Sequence, residues 1–170
     1  MPRTIYKNTI HLVNEQTGQQ VIKALGGEGF SADDIVNIFA HEYFHFTCNQ
    51  YYTENQIVKK DIPKWLEEGM ARYFEYEVND AFPILGILDI DPILDTLVTP
   101  TQWEEYGESA TGIHYTKAYM AVFHLVELKD KNVFRDIVNL LNGERTFDEA
   151  FKIAIGLSVR EFEESKLRPF

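Results

Sequence analysis

Two histidines four positions apart, His41 and His45, are the feature that most constrains how this chain can fold. Their side chains reach the same point when the segment is an α-helix, because residues four apart lie on one face of a helix. The local pattern agrees, since residues 31–34 (Ser-Ala-Asp-Asp) resemble a capping box at a helix start. The sequence therefore predicts a helix that begins after Ser31 and ends at about Tyr52.

Helical patterns also occupy most of the second half of the chain, over residues 64–77, 113–129, 132–142, 147–155 and a last segment from about Ser158. Gly143 and Gly156 stand where C-terminal caps are expected. Residues 78–112 are interrupted by prolines but rich in aliphatic side chains, which predicts a packed loop region with short helical turns.

One short segment near the N-terminus, residues 9–13 (Thr-Ile-His-Leu-Val), is β-branched and apolar and predicts a strand. We therefore expect a helix-dominated α+β fold. Since no Gly/Ser-rich or Pro-rich linker divides the chain, residues 1–170 are expected to form a single domain. Its N-terminal part, 1–52, carries the histidine helix, and its C-terminal part, 53–170, is helical. The single cysteine, Cys48, cannot form an intrachain disulfide, so packing must hold the fold together.

The charge balance excludes one class of partner. Sixteen Lys and Arg against 27 Asp and Glu give a net charge of −11, which excludes a nucleic-acid binder held by bulk charge. The longest apolar stretch, 82–90, contains Pro83 and Asp89 and is too short to span a bilayer. The N-terminus lacks the apolar core of a signal peptide, so we expect a soluble chain without a membrane span. These observations leave its location and oligomeric state open.

The histidine pair belongs to the motif His41-Glu42-Tyr43-Phe44-His45, which is H-E-x-x-H. Two imidazoles on one helix face can bind one zinc ion, which lowers the pKa of water that it binds to about 7. Glu42 is rotated by about 100° from His41 on the helix, so its carboxylate lies beside the metal, where it can act as general base. The alternative is a helix whose two histidines and glutamate merely pack.

A catalytic zinc ion usually has three protein ligands, so the motif needs a partner from another element. The segment Trp65-Leu66-Glu67-Glu68-Gly69-Met70-Ala71 resembles the W-L-x-E-G-x-A element of gluzincin metallopeptidases, particularly the peptidase-MA-like superfamily. The resemblance implies a zincin-like catalytic domain, with Glu68 as third Zn²⁺ ligand beside His41 and His45. Gly69 lacks a Cβ, which would let the helix approach closely enough for this.

The helical periodicity of this segment does not itself choose between the two glutamates. Glu67 lies nearer to the apolar stripe than Glu68, and the glutamate that does not bind metal is expected on a solvated helix face. Metzincins are excluded, because Cys48 and Tyr51 stand where their longer motif needs glycine and histidine. The thermolysin-like pattern is also incomplete, since Arg72 occupies the position of its aspartate. Cys48 is expected to be a small buried residue rather than a ligand.

The downstream half resembles the same family more loosely. Residues 112–119 lead into a helix similar to the family's tyrosine-led helix, and related gluzincins use a tyrosine from this region to bind the oxyanion. Tyr115 is the best match, and Tyr119, one turn later, is the alternative. His114 could also reach the cleft, whereas His11 and His124 receive no role.

These residues predict a zinc-dependent peptidase that hydrolyses peptide bonds in a peptide or protein substrate. The proposed metal ligands are His41, His45 and Glu68, and the catalytic residues are Glu42 and Tyr115. Two alternatives stay open: a zinc-dependent amidohydrolase acting on a non-peptide substrate, and a catalytically inactive metal-binding interaction domain.

Overall fold

The structure, a computed structural model, describes residues 32–79, 112–141, 143 and 145–167. The described helices are α1 (Ala32–Glu54), α2 (Lys64–Asn79), α3 (Gly112–Leu128), α4 (Val133–Asn139), α5 (Phe147–Ile155) and α6 (Val159–Phe162). A 3₁₀ turn, Lys59–Asp61, lies between α1 and α2, and a π-helical turn, Glu163–Leu167, follows α6. Within the described ranges, no helix combines the length and the apolar character that crossing a membrane requires.

The predicted α+β class is wrong. No strand occurs in residues 32–79, 112–141 and 145–167, and the helices there pack against one another, so the zincin-like arrangement with a small N-terminal β element is not the fold. The physical reason lies in α2, whose main contacts are with α1 on one side and α3 on the other. Helices therefore cover the apolar surface that a sheet would otherwise cover. Residues 9–13, proposed as the strand, lie outside the described residues.

Capping residues explain why the later helices begin and end where they do. The side chain of Thr146 accepts a hydrogen bond from the backbone of Glu149, whose side chain binds back to Thr146, and α5 begins there. Gly156 ends α5 with a φ of 87°, a left-handed conformation that favours glycine. The predicted range 147–155 is confirmed. The predicted cap at Gly143 is wrong, because α4 ends at Asn139 and its C-cap residue is Leu140.

The central helix α2 holds the core together. Trp65 and Leu66 are buried in it, and Gly69 faces α3 so closely that a Cβ there would lie 2.3 Å from the backbone oxygen of Ala118. The other large, fully buried side chains come from the later helices and the segments that join them: Val122, Leu125, Val133, Ile137, Val138, Leu141, Phe151 and Phe162. This packing sets the position of α2 between α1 and α3.

Candidate metal centre

Side chains from α1 and α2 meet at one point between the two helices. Glu68 Oε2 lies 3.2 Å from Nε2 of His41 and 3.4 Å from Nε2 of His45. The two Nε2 atoms lie 3.1 Å from each other. The structure thus brings together the three residues that the sequence proposed as metal ligands, and together they could hold a metal ion.

The three distances fit a small tetrahedral ion. Zinc bonds to imidazole nitrogen and carboxylate oxygen of about 2.0–2.2 Å place neighbouring ligand atoms of a tetrahedron about 3.3–3.6 Å apart. The observed separations of 3.1, 3.2 and 3.4 Å fall at or just below this range. Two imidazoles and one carboxylate are also a ligand set that catalytic zinc sites use. The donor atoms therefore fit a zinc ion in both type and spacing.

The electrostatics of this cluster reflect attraction between the two imidazoles and a negative carboxylate. Burial raises the pKa of Glu68, but hydrogen bonds with His41 and His45 outweigh it and lower the pKa to about 2. Burial lowers the pKa of His45, but contacts with Glu67 and Glu68 outweigh it and raise the pKa to about 9. The pKa of His41 is raised as well, because Glu68 and Glu75 outweigh burial. The carboxylate of Glu68 is therefore ionised at neutral pH.

The adjacent glutamate, Glu67, is buried and has different contacts from Glu68. Its side chain is buried, with 6% of the residue exposed, so the prediction that one of the two glutamates lies on a solvated face is wrong. Glu67 Oε1 lies 3.2 Å from Nζ of Lys59 and 3.9 Å from Nδ1 of His45. Burial raises the pKa of Glu67, but His45 and Lys59 outweigh it and lower that pKa. Glu67 thus faces the ring nitrogen of His45 that points away from Glu68.

Sequence reasoning missed a second buried glutamate, Glu75. Its Oε1 atom lies 2.6 Å from Nδ1 of His41, and its Oε2 atom accepts a hydrogen bond of 2.9 Å from Nη1 of Arg72. Spacing could have revealed it, because Glu68, Arg72 and Glu75 are related as i, i+4 and i+7 and so share one helix face. Three charged residues on one helix face indicate a polar partner opposite.

The two proposed catalytic residues lie on different helices, Glu42 on α1 and Tyr115 on α3. Glu42 is exposed on α1 and does not belong to the ligand group. Tyr115 is half-buried on α3, with its ring centroid 6.4 Å from that of His41. Burial raises the pKa of Tyr115, and the charges of Glu68 and Glu42 raise it further, while Arg72 opposes them. The phenol therefore stays protonated at neutral pH and can donate a hydrogen bond.

The alternative tyrosine, Tyr119, lies in a different environment. Its ring packs edge-on against Tyr76 at 4.8 Å and stacks with Tyr73 at 6.3 Å between centroids. Both partners belong to α2 beyond the ligand group. Of the two tyrosines left open by the sequence, Tyr115 is therefore the one whose ring contacts a proposed metal ligand.

Among the described residues, His114, His124 and Cys48 do not belong to the ligand group. His114 is buried in α3, and His124 is bonded to Glu127 at 3.1 Å. Cys48 is buried, as predicted, and burial raises the pKa of its thiol to about 12. His11 lies outside the described residues.

Comparison of the chain with protein-family models, with curated proteins and with solved structures finds no match.

Proposed function

We propose that this protein is a zinc metallopeptidase of gluzincin type that hydrolyses peptide bonds. The observation that carries the proposal is the convergence of His41, His45 and Glu68, whose ligand atoms lie within 4.8 Å of one another. Glu42, which follows His41 in the H-E-x-x-H motif, supplies a candidate general base for metal-assisted hydrolysis.

The metal would be held by Nε2 of His41, Nε2 of His45 and Oε2 of Glu68. When bound, zinc supplies a Lewis acid that polarises water and the substrate carbonyl. Glu42 accepts the proton that water loses as its oxygen attacks the carbonyl carbon. As the C–N bond breaks, the same carboxyl donates that proton to the nitrogen of the leaving amine. The exposure of Glu42 leaves it accessible to substrate.

Tyr115 is proposed to stabilise the negative oxygen that develops on the substrate carbonyl. A neutral phenol donates a hydrogen bond, and a donor aimed at a developing oxyanion favours the transition state over the bound substrate. The raised pKa of Tyr115 keeps that proton in place at neutral pH. Its contact with the His41 ring supports a position beside the metal.

The test combines metal analysis with digestion of a generic peptide library. We expect about one zinc ion per chain and cleavage of library peptides, because the site has a single set of three ligands. Glu42→Gln should retain zinc and lose cleavage by about 10²-fold or more, as expected when a general base is removed. The matched control is Glu54→Gln, which changes an exposed glutamate of the same helix.

Other outcomes separate the alternatives. A chain that binds no zinc contradicts the proposal outright. Zinc binding without turnover of peptides or amides favours an inactive metal-binding interaction domain. Turnover of small non-peptide amides, sensitive to Glu42→Gln and without peptide cleavage, favours an amidohydrolase.

A further inference from the structure

The two ring nitrogens of His41 have different partners. Nε2 lies 3.2 Å from Glu68 and 3.1 Å from Nε2 of His45, whereas Nδ1 lies 2.6 Å from Oε1 of Glu75. An ionised carboxylate can only accept a hydrogen bond, so Nδ1 must carry the hydrogen and donate it to Glu75. The lone pair that binds a metal is then on Nε2, the nitrogen that faces Glu68 and His45.

Glu75 is itself held in position. It is 3% exposed, and its second carboxylate oxygen accepts a hydrogen bond of 2.9 Å from Arg72. With each oxygen bonded to a different partner, the carboxylate cannot turn away from the imidazole without losing one of these bonds. A buried carboxylate that lost its partners would be costly, because burial disfavours an unpaired charge.

We infer that Glu75, clamped by Arg72, is a positioning residue that orients His41 for metal binding. The inference rests on the proposed function, since it assumes that the group binds zinc. Glu75 acts only through the imidazole. An exposed Glu/Arg pair spaced i, i+3 would merely support the helix, but here Glu75 is buried and is also bonded to another helix.

The test compares zinc affinity, measured by competition with a chromophoric chelator, in the wild type, Glu75→Gln and Glu75→Asp. Glutamine keeps the shape of Glu75, but its amide nitrogen must face either Arg72 or His41 Nδ1, so one bond is lost. We expect a loss of affinity of about 10- to 100-fold, as for other partners of metal-bound histidines. Aspartate keeps an acceptor-only carboxylate and should recover part of the loss. Glu77→Gln, on the same helix and exposed, is the matched control.

A second measurement separates orientation from general support of the fold. In the zinc-loaded wild type, the His41 Nδ1–H bonded to a carboxylate should give a downfield imidazole proton in the NMR spectrum. We expect Glu75→Gln to lose or shift this signal and Glu77→Gln to keep it. If Glu75→Gln does not fold, Arg72→Gln removes the clamp instead, and we expect a smaller loss of zinc affinity.

The outcomes are distinguishable. A wild type that binds no zinc overturns the proposed function and this inference together. A wild type that binds zinc while a folded Glu75→Gln binds equally well, with an unchanged proton signal, overturns only the role of Glu75. Unchanged zinc affinity in Arg72→Gln, if that is the variant needed, overturns it as well.

Discussion

Glu68 Oε2 lies 3.2 Å from Nε2 of His41, a contact that joins α2 to α1 at the candidate metal centre. The preceding residue, Glu67, contacts His45 instead. Its Oε1 atom lies 3.9 Å from Nδ1 of His45, the ring nitrogen that does not face Glu68. Two adjacent glutamates therefore have different surroundings. One is directed at the point where both imidazoles converge, and the other lies behind one of them.

This difference predicts opposite behaviour for two single substitutions. Glu68→Ala removes a proposed ligand and should lower zinc affinity by more than about 100-fold, beyond the loss typical of a residue that only supports a ligand. Glu67→Ala leaves all three ligand atoms in place and should retain one zinc ion per chain. Metal analysis after gel filtration, with chelator titration, measures both. Loss of zinc in Glu67→Ala together with retention in Glu68→Ala would reverse the assignment.

The two tyrosines of α3 provide a test of the proposed oxyanion contact. Tyr115→Phe removes the proposed oxyanion donor and should lower kcat by about 10²- to 10³-fold, the usual effect of losing one such donor. Its zinc affinity should be unchanged. Tyr119→Phe is the matched control, since Tyr119 packs against Tyr73 and Tyr76 and should keep the wild-type kcat. Steady-state kinetics on a cleaved peptide measure both, and equal effects would exclude the role of Tyr115.

The close approach of α2 to α3 at Gly69 predicts that even an alanine side chain there lowers the stability of the fold. A Cβ there would lie 2.3 Å from the oxygen of Ala118 and 2.7 Å from Cγ2 of Val122, so α2 and α3 would have to separate. We expect Gly69→Ala to lower the free energy of unfolding by about 3 kcal/mol or more, the upper range for overpacking. Gly143→Ala is the comparison: it has open space but a φ of +86°, so only backbone strain of about 1–2 kcal/mol applies. Urea unfolding measures both, and similar costs would contradict the close approach.

The metal-free protein should be most stable in mildly acidic solution. The pKa of His45 is raised from 6.5 to about 9, so its contribution is complete below 6.5 and disappears as the pH rises through 9. The pKa of Glu68 is lowered from 4.5 to about 2, so its contribution is complete above 4.5 and disappears as the pH falls through 2. The free energy of unfolding of chelator-treated protein, measured with urea, should therefore be greatest between about pH 4.5 and 6.5.

A variant without the imidazole separates this effect from other titrations. His45→Gln should lose the part of the alkaline decline that occurs between pH 6.5 and about 9, because glutamine does not titrate. An alkaline decline of equal size in wild type and His45→Gln would show that other groups cause it.

Local patterns predicted much of the helical structure but not the fold class. The helix 147–155 was correct because Thr146, Glu149 and Gly156 mark its ends through bonds within a few residues. The α+β class was wrong because it was inferred from one short apolar segment. Which elements pack against α2 also decides the class, and no local sequence pattern predicts that packing. The spacing of Glu75 from Glu68 was visible in the sequence, but its partner His41 was not, because the two residues are 34 positions apart in the chain.

The sequence by itself determined that His41 and His45 share a face, since a separation of four residues does so in any α-helix. The same rule puts Glu68, Arg72 and Glu75 on one face of α2, although Glu75 was not recognised from the sequence as part of the site. Only the tertiary structure decided which residues of α2 meet the imidazoles. That choice depends on the rotation and depth of α2 between α1 and α3, which the close approach of Gly69 to Ala118 and the burial of Trp65 and Leu66 impose. Such contacts join residues far apart in the chain, so helical periodicity alone cannot supply them.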